Sequence, residues 1–461
     1  MLEKETNSAA STLLTKETDS AVSTPTPSRR DVLKAGVAGG VALGAASLLG
    51  PGVVAEAATT RRVARATKKT QLKLMSWEMF QPTEKAAWSK VVDDFMAANP
   101  SIQVTWTGWP FSTFDQNVIA QAQAGQIDAD VVQCPPELAS TLITNYNLCK
   151  PLGSVAQSLG LTPNAAHKQF MSNGQLYALG VLEVAFLLAY DARILKAAGF
   201  SAPPATLDEW VAVSKKVTHA PNQFGTFLIN NVAAAADWWN QLQNWPLGFG
   251  GVWATGKTLT INSPQNVAAM EYWLKLLNAS GIAGSSETAL QKLFNNDQIA
   301  MTFSVGYGSA TLKALAPKLY PNLRSAPPPW PGKKAISRLH PMVVLKTSPN
   351  ADAAMELVKW CISPKNLYYV TVQNGYPRIP YTNFAEKVPQ YTAFENTLPW
   401  GTGFSQTNYV GESDVFGAYT FAYAQVGNIV CSNMEKAVSG SSSVKAALDA
   451  AQAQAMGSIH L

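Results

Sequence analysis

The sequence predicts an α/β chain folded as two lobes, and three observations carry that reading. Strand and helix signals alternate along most of the chain, which argues for sheets flanked by helices. At 461 residues the chain is too long for one ordinary core. Finally, the stretch Leu176–Leu195 holds two apolar runs, Leu176–Leu182 and Val184–Tyr190, with the carboxylate Glu183 between them. Each run is short enough for a strand, and the pair is too polar in the middle to cross a membrane. The stretch reads as a chain crossing, one strand ending the first lobe and the next opening the second. Glu183 and Phe186 then sit at the mouth between lobes, where ligands tend to bind.

Taken in order, residues 1–27 are rich in Ser and Thr and read as disordered. The run Ser28-Arg29-Arg30-Asp31-Val32-Leu33-Lys34 follows, then a Gly/Ala-rich apolar stretch and Ala55-Glu56-Ala57. Paired Arg29 and Arg30, a weakly apolar core and an A-x-A site at Ala55 and Ala57 resemble a twin-arginine export signal. A membrane anchor is the competing reading, and the many glycines make that a poor span. Residues 1–57 are thus expected to be a cleaved signal for export to the periplasm, with 58–69 as a solvated basic linker. The net charge of +5 is mild and its basic residues are otherwise scattered. No basic face with interleaved aromatics suggests nucleic acid binding. The thirteen Trp offer aromatic surface for recognition as well as packing.

In the mature chain, Leu72–Trp77 alternates as a first strand. Gln81-Pro82-Thr83 opens a helix whose apolar face is Ala87, Trp88, Val91, Val92, Phe95 and Met96, stopped by Asn99-Pro100. A strand at Ile102–Trp106, a helix over 113–124, a buried strand at Ala129–Gln133 and a helix opened by Pro135-Pro136 follow. Beyond the crossing, Asp191–Ala198 is helical, and Thr206-Leu207-Asp208-Glu209 is a capping box. Phe224–Ile229 is a strand, Ala233–Gln243 contains Asp237-Trp238-Trp239-Asn240, and Ser263-Pro264 opens a helix closed near Gly281. Later come a helix at Glu287–Asn295, strands at Ile299–Val305 and Pro341–Leu345, a helix at Asn350–Ile362, and one helix from Val415 to about Val438. The sheets are expected to be mostly parallel.

Four blocks then resemble the extracellular solute-binding proteins of ABC importers, in the family that includes maltose-binding and other sugar-binding members. They are the crossing with AYDARILKAAGF and PPATLDEWVAVSKKVT; NVAAMEYWLKLLNASGI; LFNNDQIAMTFSVGYG, with Asp297 where the family usually has Gly; and SPNADAAMELVKWCISPKNLYYVTVQNGYPRIP. The resemblance covers nearly all of the mature chain. It implies a two-lobed periplasmic-binding-protein fold, type II-like, with hinge strands between the lobes. Transferred here, lobe one is 70–184 plus 300–345 and lobe two is 185–299 plus 346–461. It also implies a non-enzymatic, monomeric protein that captures a small polar solute, expected to be a sugar, and delivers it to ABC permease subunits.

A sugar presents apolar ring faces and a rim of hydroxyls, so a site for it needs flat aromatics beside polar side chains from both lobes. From lobe one the candidates are Trp77 and Glu78 after the first strand, Glu183, Tyr307 after the Ala-Met strand, and Arg338 and His340. From the crossing and lobe two they are Phe186, Trp238, Trp239, Tyr376, Arg378, Tyr409, Glu412 and Phe416. Each has a structural alternative: one Trp of the pair as core, Glu183 as a buried hydrogen-bonding group, Arg338 and His340 as surface loop, Arg378 as an ion pair. Tyr368-Tyr369 reads as packing rather than an iron site. Four His without ligand-like spacing imply no metal, and no cofactor is expected. Cys134–Cys149 and Cys361–Cys431 are possible disulfides in an oxidising compartment, with buried thiols as the alternative. Other solutes remain open: a quaternary amine caged by aromatics, or a sugar acid held by Arg338 and Arg378. A secreted glycosidase would need facing carboxylates, and only Glu183 with Glu412 or Asp414 could supply them.

Overall fold

The computed structural model describes residues 69–461 apart from 283, 285, 286, 306–308 and 377. The export-signal residues Arg29, Arg30, Ala55 and Ala57 and the aromatic Tyr307 lie outside the described residues. The first half of the chain forms β1 (Thr70–Ser76), α1 (Pro82–Ala98), β2 (Ile102–Thr107), α2 (Phe111–Gln123), β3 (Val131–Gln133) and α3 (Pro136–Thr144). Pro82 stands in the first turn of α1, where its missing N–H costs nothing. The helix buries Ala87, Trp88, Val91, Val92 and Phe95 and ends at Asn99.

The crossing stretch is one continuous strand, β4 (Leu179–Asp191), not two. Glu183 interrupts its hydrophobicity but not its backbone, because Ser337, Asn164 and Arg378 satisfy the carboxylate. Next come α4 (Ala192–Ala197), α5 (Leu207–Val217), β5 (Phe224–Phe227), α6 (Ala235–Leu242), α7 (Pro264–Ser280), α8 (Glu287–Asn295) and β6 (Ile299–Val305). The start of α5 is a displaced capping box: Thr206 accepts from the Glu209 N–H, while the Glu209 carboxylate accepts from Ala205 N at 2.7 Å. Then follow β7 (Leu323–Ala326), β8 (Lys334–Val344), α9 (Ala351–Cys361), α10 (Pro364–Asn374), β9 (Asn408–Gly411), α11 (Glu412–Phe416), α12 (Tyr423–Val438) and α13 (Val444–Ser458). The single helix expected from Val415 is broken at Gly417, whose φ of +51° and contact with Gly256 suit only a residue without Cβ.

The main sheet runs β2-β1-β3-β8-β4-β6-β5, with β7 also on β4 and β9 on β8. Its outer pairs β1/β2, β1/β3 and β5/β6 are parallel, as expected. Around the crossing strands it is antiparallel: β8 runs against β3 and β4, and β6 against β4. The sheet is therefore mixed.

Apolar packing separates the two lobes. The sheet of the first lobe is covered on one face by α1, α9 and α10 and on the other by α2 and α3. A single larger cluster builds the second lobe. Along β4 the change of core falls between Val184 and Ala185; along β8 it falls between Ile336 and Leu339. A third passage lies between Tyr391 and Leu398. Two segments pack opposite to expectation. β6 and β7 join the second-lobe core because they pair with the far half of β4. Residues from Ala354 to Tyr391 return to the first lobe through α9 and α10. Eight of the thirteen Trp lie in the second-lobe cluster, so most of the tryptophan serves packing.

All four cysteines are buried free thiols. Cys361 and Cys431 belong to different cores, which rules out the pairing suggested for them. Cys134 and Cys149 share one core unbonded.

Candidate functional site

Successive side chains of a strand point to opposite faces, and β8 uses this at the second crossing. Ser337 turns to one face, where it donates to Glu183. Arg338 turns to the other and meets both lobes. Its two terminal nitrogens donate to Glu137 in the first turn of α3 and to Asn240 on α6. Its Nε lies 2.7 Å from Glu412 Oε1 at the start of α11, and the guanidinium sits 5.0 Å from the Tyr423 ring centroid. Glu137 comes from the first lobe; Asn240, Glu412 and Tyr423 come from the second. The Arg338–Glu412 pair is close but poorly aligned: neither Arg338 Nε nor either Glu412 oxygen finds a hydrogen-bond partner among the described residues.

Burial, together with the charge of Glu137, pushes the Glu412 carboxyl up to about 8 against the pull of Arg338. The half-buried Asp115 on α2 is pushed up to about 8 by the same burial and the same neighbour, and its Oδ1 also lacks a partner. Burial works to lower the Arg338 pKa, but Glu137 and Glu412 outweigh it and hold the guanidinium charged.

A cavity of about 570 Å³, within the size range of ligand pockets, is lined by Ser140 and Ser413, near neighbours in sequence of Glu137 and Glu412, and not by the cluster itself. Ser140 and Thr144 line it one and two turns beyond Glu137, on the same helix face. Ser413, Thr420 and Phe421 wall it from the second lobe, and the exposed Lys168 stands in its lining. The two lobes touch beside it, where Thr141 Oγ1 donates to the Phe421 carbonyl at 3.2 Å.

Beyond Arg338 along β8 lies an aromatic panel. The Trp77 ring centroid is 4.9 Å from that of His340, 5.6 Å from Phe114 and 6.0 Å from Phe111. Trp109 flanks Phe114 at 6.4 Å. Trp77 itself is buried, whereas Phe80 and Phe111 present open faces to solvent. Glu78 is committed within the panel: one oxygen is 2.8 Å from His340 Nδ1 and the other accepts from the Trp88 indole.

On the opposite face of β8, Glu183 accepts from Asn164 at 3.1 Å and pairs with Arg378 at 3.3 Å. Arg378 in turn lies 4.9 Å from the Tyr409 ring centroid. This cluster joins β4, β8 and the returning third segment, so it reads as hinge rather than as solute contact.

The residues expected from sequence thus divide. Trp77, Glu78 and His340 come together, as do Arg338 and Glu412, and as do Glu183, Arg378 and Tyr409. Tyr376 donates to Glu84 at 2.6 Å, beside the first-lobe core. Four belong to the hydrophobic core instead. Phe186 stacks on Phe303, Trp238 on Trp273, and Trp239 packs against Trp253 and Phe416. Both members of the Trp pair are therefore core, because α6 buries positions 238, 239, 241 and 242 while Asn240 turns toward Arg338. Glu183 and Glu412 lie on opposite faces of β8, each against an arginine, and Asp414 caps its own helix by accepting from Gly411 N. No facing carboxylate pair results from them. Tyr368 and Tyr369 pack against the first-lobe core.

Asp115, Glu137, Asn240 and Tyr423 were not singled out from the sequence. Glu137 had the clearest signal: it follows the Pro-Pro helix start at the end of a buried strand. Among the described residues, no three His, Cys, Asp or Glu side chains gather as a metal site, and no helix is long and apolar enough to cross a membrane.

Residues 81–367 match the family model for bacterial extracellular solute-binding protein. No curated protein sequence matches the chain. Solved structures share the fold at low identity. An ABC transporter solute-binding protein from Thermotoga lettingae, bound with α-D-tagatose, is 16% identical with a TM-score of 0.71, covering 84% of this chain and 98% of that one. The GacH receptor of Streptomyces glaucescens, solved unliganded and with acarbose, is 18% identical with a TM-score of 0.71 and the same coverage. UgpB from Mycobacterium tuberculosis, in complex with glycerophosphocholine, is 16% identical with a TM-score of 0.70, again at 84% and 98%.

Proposed function

As a member of the bacterial extracellular solute-binding protein family, to which this chain belongs, the protein has a solute to capture, and we propose that this solute is a sugar or sugar-like polyol. The observation that carries the reading is a cavity walled by hydroxyls from both lobes, beside a buried arginine that bridges them. A solute touching both walls stabilises the closed arrangement over any open one, and that differential contact drives hinge closure. Hydroxyls of Ser140, Thr144, Ser413 and Thr420 suit the polar rim of a ring, and Phe421 and Met171, which line the same cavity, suit its apolar side. Several solved structures of the same fold hold sugars or polyols, among them tagatose, maltose and ribitol. The captured solute is delivered to the permease subunits of an ABC importer. Export by the twin-arginine route, signalled by Arg29, Arg30 and the Ala55/Ala57 site, completes the reading. A sugar acid is disfavoured, because Arg338 and Arg378 each already face carboxylates.

The test is thermal unfolding of residues 58–461 against neutral sugars, polyols, sugar acids and quaternary amines. A ligand of the folded form at a thousandfold excess over Kd adds about 4 kcal/mol, a plainly raised Tm. If no saccharide or polyol shifts the transition, the sugar assignment is wrong.

A further inference from the structure

The crossing strands are not all that joins the two lobes. Residues 411–422 stand with the second lobe, since Val415, Phe416, Tyr419 and Ala422 lie in its core. Yet this segment packs along the first lobe. Gly411 runs so close to Ala166, a first-lobe core residue, that an added Cβ would meet the Ala166 Cα at 3.2 Å. Further along, Thr141 on α3 donates to the Phe421 carbonyl at 3.2 Å. These contacts make a seam that the chain forms with itself.

Arg338 fastens that seam. It stands on β8 between Ile336, in the second-lobe core, and Leu339, in a first-lobe core. The strand passes between the lobes, but the partners of Arg338 ride on them. Toward the first lobe it donates to Glu137 on α3. Toward the second it donates to Asn240 on α6, meets Glu412 on α11 at 2.7 Å and lies 5.0 Å from the Tyr423 ring centroid. Among the described residues, the other ion pairs join groups within one lobe or along the crossing strands. A swing of one lobe away from the other separates α3 from α6 and α11, so the guanidinium cannot keep both sets of partners. Only a planar fork with several fixed donors serves such a set; a lysine ammonium keeps the charge and loses the geometry.

We propose that Arg338 is a closure latch, a positioning residue that holds the lobes together through Glu137 on one side and Asn240 and Glu412 on the other, so that a solute enters only when it lets go. The inference rests on the capture of a solute between the lobes, whatever that solute is. The contacts that favour closure are then the chain's own, and a solute adds to them instead of supplying them all. Two consequences follow. The protein rests mostly closed before any solute arrives, and association is slowed because opening must come first.

The experiment measures the distance between lobes. Nitroxide labels are placed at Asp93→Cys on α1 and Glu271→Cys on α7, both exposed and one in each lobe, while the four native cysteines are buried. Double electron–electron resonance is recorded without added solute. The expected result is one dominant short distance in the parent, and a second, longer one in Arg338→Lys and in Asn240→Ala, with the closed-to-open ratio at least tenfold lower. Asn240 is half-buried, so its variant carries the test should Arg338→Lys fold poorly. For any saccharide that binds, stopped-flow tryptophan fluorescence should show association at least threefold faster in the variants than in the parent. A parent already spread over long distances overturns the latch. So does a variant that melts at lower temperature with the parent's distance distribution, because Arg338 then only supports the fold. Failure of every saccharide to bind counts against the sugar reading, and the distances still decide the latch.

Discussion

Replacing Glu412 by Gln should flatten part of the pH dependence of stability, and the size of the effect follows from its position. The carboxyl is fully buried and is pushed up to about 8 from an ordinary value of 4.5. Between those two values the folded chain holds a proton that the unfolded chain has lost, so stability falls as pH rises through this range. The interval from pH 6.5 to 8 is the one to use; Asp115, raised to the same value, contributes there in both proteins, so the difference between parent and variant is what reports Glu412. Below 6.5 the buried His167, pushed down to about 3 by desolvation, works the other way: the folded state keeps it neutral, so stability falls as pH drops. Across the 1.5-unit interval, about 1.36 kcal/mol per unit gives about 2 kcal/mol, or about 1.5 once partial ionisation near pH 8 is allowed for. Urea unfolding followed by tryptophan fluorescence, at pH 6.5 and at pH 8, measures this directly. The variant should lose about 1.5 kcal/mol less than the parent over the interval. An equal loss in both proteins, or a parent that gains stability toward pH 8, would refute the reasoning.

Three further outcomes are expected. Gly427→Ala should destabilise by about 1–3 kcal/mol in thermal unfolding, although Ala is the better helix former by about 1 kcal/mol, because its Cβ would lie 2.4 Å from the Trp239 ring, itself held by Trp253 and Phe416. Glu137→Ala leaves Arg338 buried with its best-aligned carboxylate removed, and should cost about 3–5 kcal/mol in denaturant unfolding; a loss below 1 kcal/mol would show that Glu412 compensates. Thiol titration without reductant should find none of the four cysteines reactive in the folded protein and all four after unfolding; fewer than four after unfolding would mean that a disulfide forms.

Much of the architecture was legible because it is local. The face of α1 repeats at helical spacing, Pro and Gly punctuate the elements, and the apolar runs of the crossing announce a buried strand. Glu183 looked like a break in that strand, and only its distant partners Arg378 and Ser337 show why the strand continues. The site was less legible for the same reason. Arg338 finds Glu137 at a separation of 201 residues and Asn240 at 98, and no periodicity links them. Trp238 and Trp239 misled because two aromatics beside a polar residue look alike in a core helix and in a binding loop. Which face of α6 meets the core is decided by Trp273 and Trp253, which belong to later segments.

The three passages of the chain between lobes also bear on how the protein is made. The first-lobe core draws on β1 and on Tyr391, and the second-lobe core draws on Ala185 and on Ile459. Emerging from the ribosome, the second-lobe strands must wait for α12 and α13 before their apolar faces are covered. Through that interval a tryptophan-rich surface stands open to other chains. Pairings of such long range are slow to form and prone to aggregate. A nascent chain of this design should therefore depend on chaperone capacity until its last helix docks, and a truncation before α13 should accumulate as insoluble protein although the first-lobe sequence is complete.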